Sequence, residues 1–362
     1  MTVFSHPSFQ DHERVTFFHD KETGLKAIIA IHNSKLGPAL GGCRMWNYDN
    51  DEEAFEDVLR LSRGMTYKAA ISGLPLGGGK SVIIGDSQKD KTPELMQAMG
   101  RAVESLDGGY IIAEDVGTSV EDMRYIETGT KHVVGLPTDG ATLESGDPSP
   151  LTALGVFTGL KAAAQYRLGV EELTGLTVSV QGLGHVGYTL CKLLSEAGAN
   201  LVVTDINQGS IDRVVSEFAA TGVGLDDIYD IDTDIYAPCA LGATLNDNTI
   251  PRLKVEVVAG AANNQLAEER HGDMLRERNI LYTPDYVINA GGLIKVYYEQ
   301  QARLAGKPLN LGDVKNKIQE IETTTKSIFA KSEKDDISTG LAANRIAEAL
   351  FMSNSEAANE AA

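Results

Sequence analysis

The chain has 362 residues, 42% of them apolar and 23% charged, which is the composition of an ordinary soluble globular protein with room for two domains. Its 32 Lys and Arg against 51 Asp and Glu leave a net charge of -19, which argues against nucleic acid or an anionic membrane as partner. No apolar run approaches the length of a membrane span, and Met1-Thr2-Val3-Phe4-Ser5-His6 lacks the basic start and apolar run of a signal peptide, so a cytoplasmic location is expected. Cys43, Cys191 and Cys239 are far apart and in no ligand spacing. They read as small buried thiols, and no metal is expected.

Residues 15–18 and 25–31 are short β-branched and apolar runs around Lys21-Glu22-Thr23-Gly24, the pattern of a hairpin. Gly37-Pro38-Ala39-Leu40-Gly41-Gly42 then breaks the strand with a glycine pair. Asn50 followed by Glu53 is a helix start of capping-box type, and Ala54, Phe55, Val58, Leu61 and Met65 recur at helical spacing to make one buried face. Lys68 closes that helix, where a cation is also favoured by the helix dipole alone.

Leu74-Pro75-Leu76-Gly77-Gly78-Gly79-Lys80-Ser81 imitates the tail of a phosphate-binding loop. Leu74 stands where that loop needs its first glycine, and Pro75 falls inside it, so the nucleotide triphosphate reading fails. The glycines instead let backbone come close to something small, with Lys80 pointing at it. Residues 82–84 are a buried strand, and Thr92-Pro93-Glu94 starts a helix with proline at its first position. Residues 110–113 form the next strand, and Asp115 follows its carboxyl end, where open sheets bind ligands. Thr118 and Ser119 with Asp122 open a short helix.

Gly146-Asp147-Pro148-Ser149-Pro150 is the clearest punctuation and marks the domain boundary. An alanine-rich helix follows over residues 151–166. The strand at 176–181 then runs into Gly182-Leu183-Gly184-His185-Val186-Gly187 and a helix to residue 196. This is the context that the dinucleotide fingerprint demands. Gly182 permits the tight turn, Gly184 the approach of the pyrophosphate, and Gly187 the packing of helix on strand. A second strand ends in Asp205, 18 residues after Gly187, placed to accept from ribose hydroxyls and to repel a 2′-phosphate. NAD is therefore expected over NADP. Strand-like runs at 235–238, 255–259 and 279–282 extend a parallel sheet. Asn263 and Asn289, beside small residues at strand ends, lie where the nicotinamide end belongs. Residues 311–350 are helical by period, with a polar, frayed tail over 353–362.

The segments Gly41-Gly42-Cys43-Arg44-Met45, Met65-Thr66-Tyr67-Lys68, Gly77-Gly78-Gly79-Lys80, Ala113-Glu114-Asp115-Val116-Gly117-Thr118, the fingerprint and Pro284-Asp285-Tyr286-Val287-Ile288-Asn289-Ala290-Gly291-Gly292 occur in one order. In them the chain resembles the amino acid dehydrogenases that include glutamate, leucine, phenylalanine and valine dehydrogenase, with wording most like the leucine branch. The resemblance implies an α/β chain of two domains, an N-terminal substrate domain and a Rossmann-type NAD-binding domain with a deep cleft between them. Residues 1–147 would form the substrate and oligomerisation domain, joined by a C-terminal helix over about 332–362, and 148–331 the Rossmann domain. It implies reversible oxidative deamination: an L-amino acid, NAD and water give a 2-oxo acid, ammonia and NADH. Lys68 would hold the substrate carboxylate with help from Asn263. Lys80 would bind the attacking water, and Asp115 would shuttle protons to and from the amine.

On the cofactor side the resemblance adds Thr152, Ala237, Pro238 and Cys239. The substrate pocket would be lined by Leu40, Gly41, Gly42, Met65, Ala113, Leu293 and Val296. Leu40 stands where the glutamate branch has lysine, so nothing would pair a second carboxylate, and an aliphatic pocket favours leucine, isoleucine and valine. Leu293 is bulkier than the valine usual there and tilts preference toward smaller chains, whereas Tyr297-Tyr298 departs from the leucine branch and keeps an aromatic substrate open. The partners implied are these small molecules and further copies of the chain, from dimer to octamer. The rival of another class is a non-catalytic NAD-binding protein, against which Lys68, Lys80 and Asp115 together count.

Overall fold

The structure is a computed structural model describing residues 3–136 and 147–359, with side chains to residue 352. Gly146 of the boundary segment lies outside the described residues. The chain falls into two compact units, residues 1–146 with 296–309 and 347–362, and residues 147–295 with 310–346.

The first unit is built on five strands, β1 (Arg14–Asp20), β2 (Leu25–Asn33), β3 (Ala39–Trp46), β4 (Gly77–Ile84) and β5 (Tyr110–Glu114), in the order β1-β2-β4-β3-β5. β1, β2 and β4 pair antiparallel, while β4, β3 and β5 run parallel. Helix α1 (Asp51–Ile71) covers one face over Ile28, Ala30 and Val82. Helices α2 (Pro93–Glu104) and α3 (Val120–Glu127) cover the other over Ile29, Met45, Ile83 and Tyr110. The expected helix starts are present. The Asn50 side chain accepts from the Glu53 amide, Thr92 from that of Leu95, and Ser119 and Asp122 form a reciprocal capping box.

Three expectations fail here. The glycine pair Gly41-Gly42 does not end a strand but lies within β3, and Gly77 to Gly79 begin β4 instead of preceding it. Glycine is required because neighbours occupy the space of each side chain. A Cβ on Gly41 would lie 1.7 Å from the Gly79 carbonyl oxygen, and one on Gly79 would lie 2.7 Å from the Tyr110 ring. On α1, Leu61 and Met65 are only partly buried, whereas Ser62 and Thr66 are buried. The helix there rests on Gly78, whose missing Cβ would meet the Thr66 amide nitrogen at 2.0 Å, so small polar side chains can turn inward.

The second unit carries helix α4 (Ser149–Leu168) and a six-stranded parallel sheet: β6 (Thr177–Gln181), β7 (Asn200–Thr204), β8 (Thr221–Gly222), β9 (Ile235–Pro238), β10 (Val257–Val258) and β11 (Leu281–Tyr282). Their order, β11-β10-β9-β6-β7-β8, reverses direction at β6, the doubly wound arrangement whose ligand crevice opens between β6 and β9. Between the strands run α5 (His185–Glu196), α6 (Gln208–Phe218) and α7 (Arg270–Glu277). The remaining helices are α8 (Asp285–Ile288), α9 (Gly291–Leu304), α10 (Leu311–Asp335) and α11 (Thr339–Asn359). The tail is helical as its period predicts, in two helices. Asp336 at φ 54° takes the left-handed conformation that stops α10, and the backbone of α11 is helical to Asn359.

Candidate active site

In the first unit the parallel strands bring a lysine and a carboxylate together. Lys80 on β4 places its Nζ 2.6 Å from Oδ2 of Asp115, just past the end of β5. The Lys80 side chain is 7% exposed and that of Asp115 23%. Between them runs β3, where Leu40, Gly42 and Arg44 alternate along one side. Gly42 leaves the room for the pair: a Cβ there would lie 2.7 Å from Asp115 Cβ and 3.2 Å from Lys80 Nζ. Burial raises the Asp115 carboxyl, but the charges of Lys80 and Arg44 outweigh it and hold the group below its ordinary value.

The loop carrying Asp115 is fastened on several sides. Met45 N–H donates to the Val116 carbonyl at 2.9 Å, and Thr118 Oγ1 donates to the Cys43 carbonyl, also at 2.9 Å. Lys91 Nζ reaches both the Gly117 carbonyl, 3.1 Å, and Asp122 Oδ2, 2.8 Å. Lys68 is partly buried in the last turn of α1. It follows Thr66 by two residues, as Lys80 follows Gly78, and Thr66 and Gly78 are in contact. Met65 adjoins that contact, Leu40 pairs with Gly78, and Ala113 pairs with Gly42. The ladder thus brings Lys80, Leu40, Gly41, Gly42 and Ala113 together on the adjacent strands β4, β3 and β5 with Asp115 just beyond, while Met65 and Lys68 lie on the last two turns of α1, the helix packed on β4. Arg44 and its partner Asp57 belong to this cluster and carried no role in the sequence reading. The available signal was Arg44 lying two residues after Gly42 on one strand face.

The second unit assembles the nucleotide fingerprint at the β6–β9 switch. Gly182 has φ +96°, a region favouring glycine, and a Cβ there would lie 2.6 Å from the Ala240 amide nitrogen. Gly184 faces open space, nothing lying within 4 Å of its missing Cβ, and it starts α5 with no side-chain cap. The Gly187 Cβ would sit 2.0 Å from the Gly182 carbonyl oxygen, which accounts for the third glycine. Asp205 accepts from the Leu183 amide through Oδ2, 2.6 Å, and from the Asn207 amide through Oδ1, 2.8 Å. The open glycine, the uncapped amides of α5 and this acid at the tip of β7 fit a dinucleotide such as NAD.

Cys239, just after β9 and Pro238, donates its amide to the Gln181 carbonyl at 2.7 Å, while Ala237 and Pro238 are buried in the strand itself. Val186 is partly buried, whereas the His185 side chain is 85% exposed with Nδ1 3.5 Å from Asp147 Oδ2. Asn289 Nδ2 donates to Asn263 Oδ1 at 2.7 Å and to the Ala261 carbonyl at 3.1 Å, so the Asn263 amide presents its nitrogen as donor. A Cβ on Gly292 would lie 2.8 Å from Thr152 Oγ1, placing Thr152 against the start of α9. Leu293 and Val296 follow on that helix, buried and partly buried.

The group Asp247, Glu268 and His271 has the spacing of a metal site. Arg270 already spans the two carboxylates, at 2.6 Å to Asp247 and 2.9 Å to Glu268. His271 Nδ1 accepts the Glu268 amide at 2.9 Å, which puts the neutral ring's proton on Nε2 and makes that atom a donor, not a ligand. The Cys43 thiol is pushed up to about 12 by burial, and that of Cys191 is raised for the same reason. Among the described residues no helix is long and apolar enough to cross a membrane.

Residues 12–132 match the family described as Glu/Leu/Phe/Val dehydrogenase, dimerisation domain, and residues 207–357 match Glutamate/Leucine/Phenylalanine/Valine dehydrogenase. A leucine dehydrogenase of Bacillus subtilis is 54% identical over 349 residues, 96% of this chain and 93% of that protein. A phenylalanine dehydrogenase of Caldalkalibacillus thermarum is 47% identical over 353 residues, 96% of this chain and 93% of that protein. The crystal structure of L-tryptophan dehydrogenase from Nostoc punctiforme superposes with a TM-score of 0.83 at 44% identity, covering 95% of this chain and 97% of that one. With both halves matched in order and the glycine and lysine motifs assembled as described, the chain belongs to the Glu/Leu/Phe/Val dehydrogenase family.

Proposed function

We propose that the chain catalyses the NAD-dependent, reversible oxidative deamination of a branched-chain L-amino acid, leucine with isoleucine and valine, to the 2-oxo acid and ammonia. The observation that carries the reading is the 2.6 Å contact of Lys80 Nζ with Asp115 Oδ2, in the space that Gly42 leaves open. An ammonium and a carboxylate so placed can hold a water and exchange protons with an amine. Bound NAD supplies the hydride acceptor, held by Gly182 to Gly187 and Asp205, with Thr152, Ala237, Pro238, Cys239, Asn263 and Asn289 toward its nicotinamide end.

Lys68 binds the substrate carboxylate, with the Asn263 amide nitrogen as second donor. Asp115 takes a proton from the substrate ammonium and returns it to the departing amine. Lys80 orients the water that adds to the imine. Leu40, Met65, Ala113, Leu293 and Val296 offer hydrocarbon to the side chain, which leaves a second carboxylate unpaired and disfavours glutamate. The 54% identity to a leucine dehydrogenase supports leucine as substrate, and the dimerisation description of the N-terminal match supports a homo-oligomer. The first unit, 1–146 with 296–309 and 347–362, acts as the substrate domain and the second, 147–295 with 310–346, as the NAD domain, in the cytoplasm.

The test is NADH absorbance with leucine, valine, isoleucine, phenylalanine, tryptophan and glutamate in parallel. Fastest turnover on leucine or valine is expected. Preference for phenylalanine or tryptophan, to which Tyr297-Tyr298 points, would replace the branched-chain assignment. No NADH with any amino acid would remove the catalytic reading.

A further inference from the structure

Asp115 is held from two sides, and only Lys80 has a place in the chemistry so far. The second holder is Arg44 of β3, whose Nε lies 3.2 Å from the same oxygen, Oδ2. Arg44 is itself anchored: NH1 donates to Asp57 Oδ2 on α1 at 2.8 Å, and Tyr48 OH donates to that oxygen at 2.7 Å. The guanidinium thus bridges two carboxylates, and its side chain is 24% exposed, as is that of Asp57. A fork of this kind fixes direction as well as charge, which a lysine could not do at both ends.

We propose that Arg44 is a positioning residue for the reaction: anchored by Asp57 and Tyr48, it works with Lys80 to hold Oδ2 of Asp115 and leaves Oδ1 as the oxygen that exchanges protons with the substrate amine. The inference rests on the proton-shuttle reading of Asp115. Oδ1 accepts one proton from the substrate ammonium and delivers one to the leaving amine, so the carboxylate ends each turnover as it began. The groups that act on the Asp115 carboxylate are Lys80 of β4, Arg44 and the buried Cys43 of β3, Tyr110 of β5, Tyr48 and the Val116 amide, which donates a hydrogen bond to it, with Asp57 of α1 beyond Arg44. Removing Arg44 therefore strips one of the two cations that offset burial at Asp115.

The experiment compares Arg44→Met, Arg44→Lys and Asp57→Asn in the full-length enzyme. It reads kcat and KM for L-leucine, NAD affinity, and the titration of the Asp115 carboxyl by ¹³C NMR. For Arg44→Met we expect kcat down about tenfold to a hundredfold, with KM and NAD affinity within about twofold of the parent. The Asp115 midpoint should rise by about one pH unit, the smaller end of what a neighbouring arginine imposes. Arg44→Lys should restore most of the midpoint but only part of kcat. Asp57→Asn, nearly isosteric, should lower kcat in the same direction by less without raising the midpoint, since it removes a negative charge, and its kcat carries the test if Arg44→Met does not fold. An unmoved midpoint in Arg44→Met, or a kcat within about twofold of the parent in Arg44→Met, or in Asp57→Asn where it stands in, overturns the proposal. Asp115→Asn separates the two levels: if it keeps parental kcat, the shuttle reading itself falls. If it loses turnover while Arg44→Met keeps it, only the role of Arg44 falls.

Discussion

Gly42→Ala adds a single methyl group directly against the Lys80–Asp115 pair. Its Cβ would lie 2.7 Å from Asp115 Cβ, 2.9 Å from the Glu114 carbonyl oxygen and 3.2 Å from Lys80 Nζ. Two carbons rest about 3.5–4.0 Å apart, so Asp115 must retreat by about 1 Å. The strand cannot absorb this, because Gly42 and Ala113 are ladder partners between β3 and β5. A retreat of that size opens the 2.6 Å contact of Lys80 with Asp115. Misplacement by about 1 Å can cost about a hundredfold in rate, and the overpacking costs about 1–3 kcal/mol of stability. We therefore expect kcat/KM for L-leucine, read by NADH absorbance, to fall about a hundredfold. NAD affinity should be unchanged, and denaturation should report a folded protein. A folded Gly42→Ala enzyme with near-parental kcat/KM would refute the claim that this glycine vacates space for the catalytic pair.

Lys80→Ala should bind NAD normally and lose nearly all turnover, whereas Lys68→Ala should chiefly raise KM for the amino acid; steady-state kinetics with NAD titration separate them. Asp205 should make NADP a poor substitute, and comparable turnover with both dinucleotides would contradict its role at the ribose. Acid should destabilise the first unit through His32, whose ring is buried against Thr66 Oγ1 at 2.9 Å and pulled down to about 3, by burial first and then by the charges of His12 and Arg63. The folded value lies below the unfolded one of about 6.5, so the stabilisation is complete above that pH and is lost progressively as pH falls toward 3. Urea midpoints at several pH values should show this loss, and His32→Gln should flatten it.

Where the deciding interactions are local, the sequence was readable. The Asn50, Thr92 and Ser119 caps each involve residues three apart, and the three glycines of the fingerprint fall within six positions. The strands through Gly41-Gly42 and Gly77 to Gly79 were not readable, because glycine is a poor strand former by propensity. What makes it obligatory is the backbone of a neighbouring strand, information held at the far side of a ladder. The stop at Asp336 was equally hidden, as an aspartate in the left-handed region carries no glycine or proline signal. Lys80 and Asp115 could be named from their motifs. The bridge from Arg44 to Asp57 and Asp115 joins three elements and appears only once they are packed.

Asp205 holds a double post whose consequence reaches protein engineering. The carboxylate proposed to choose the dinucleotide also ties down the Leu183 amide inside the glycine turn. Replacing it to admit a phosphorylated coenzyme would release the turn at the moment a new guest must be seated. A successful redesign must first furnish another acceptor for that amide, and only then add the arginine.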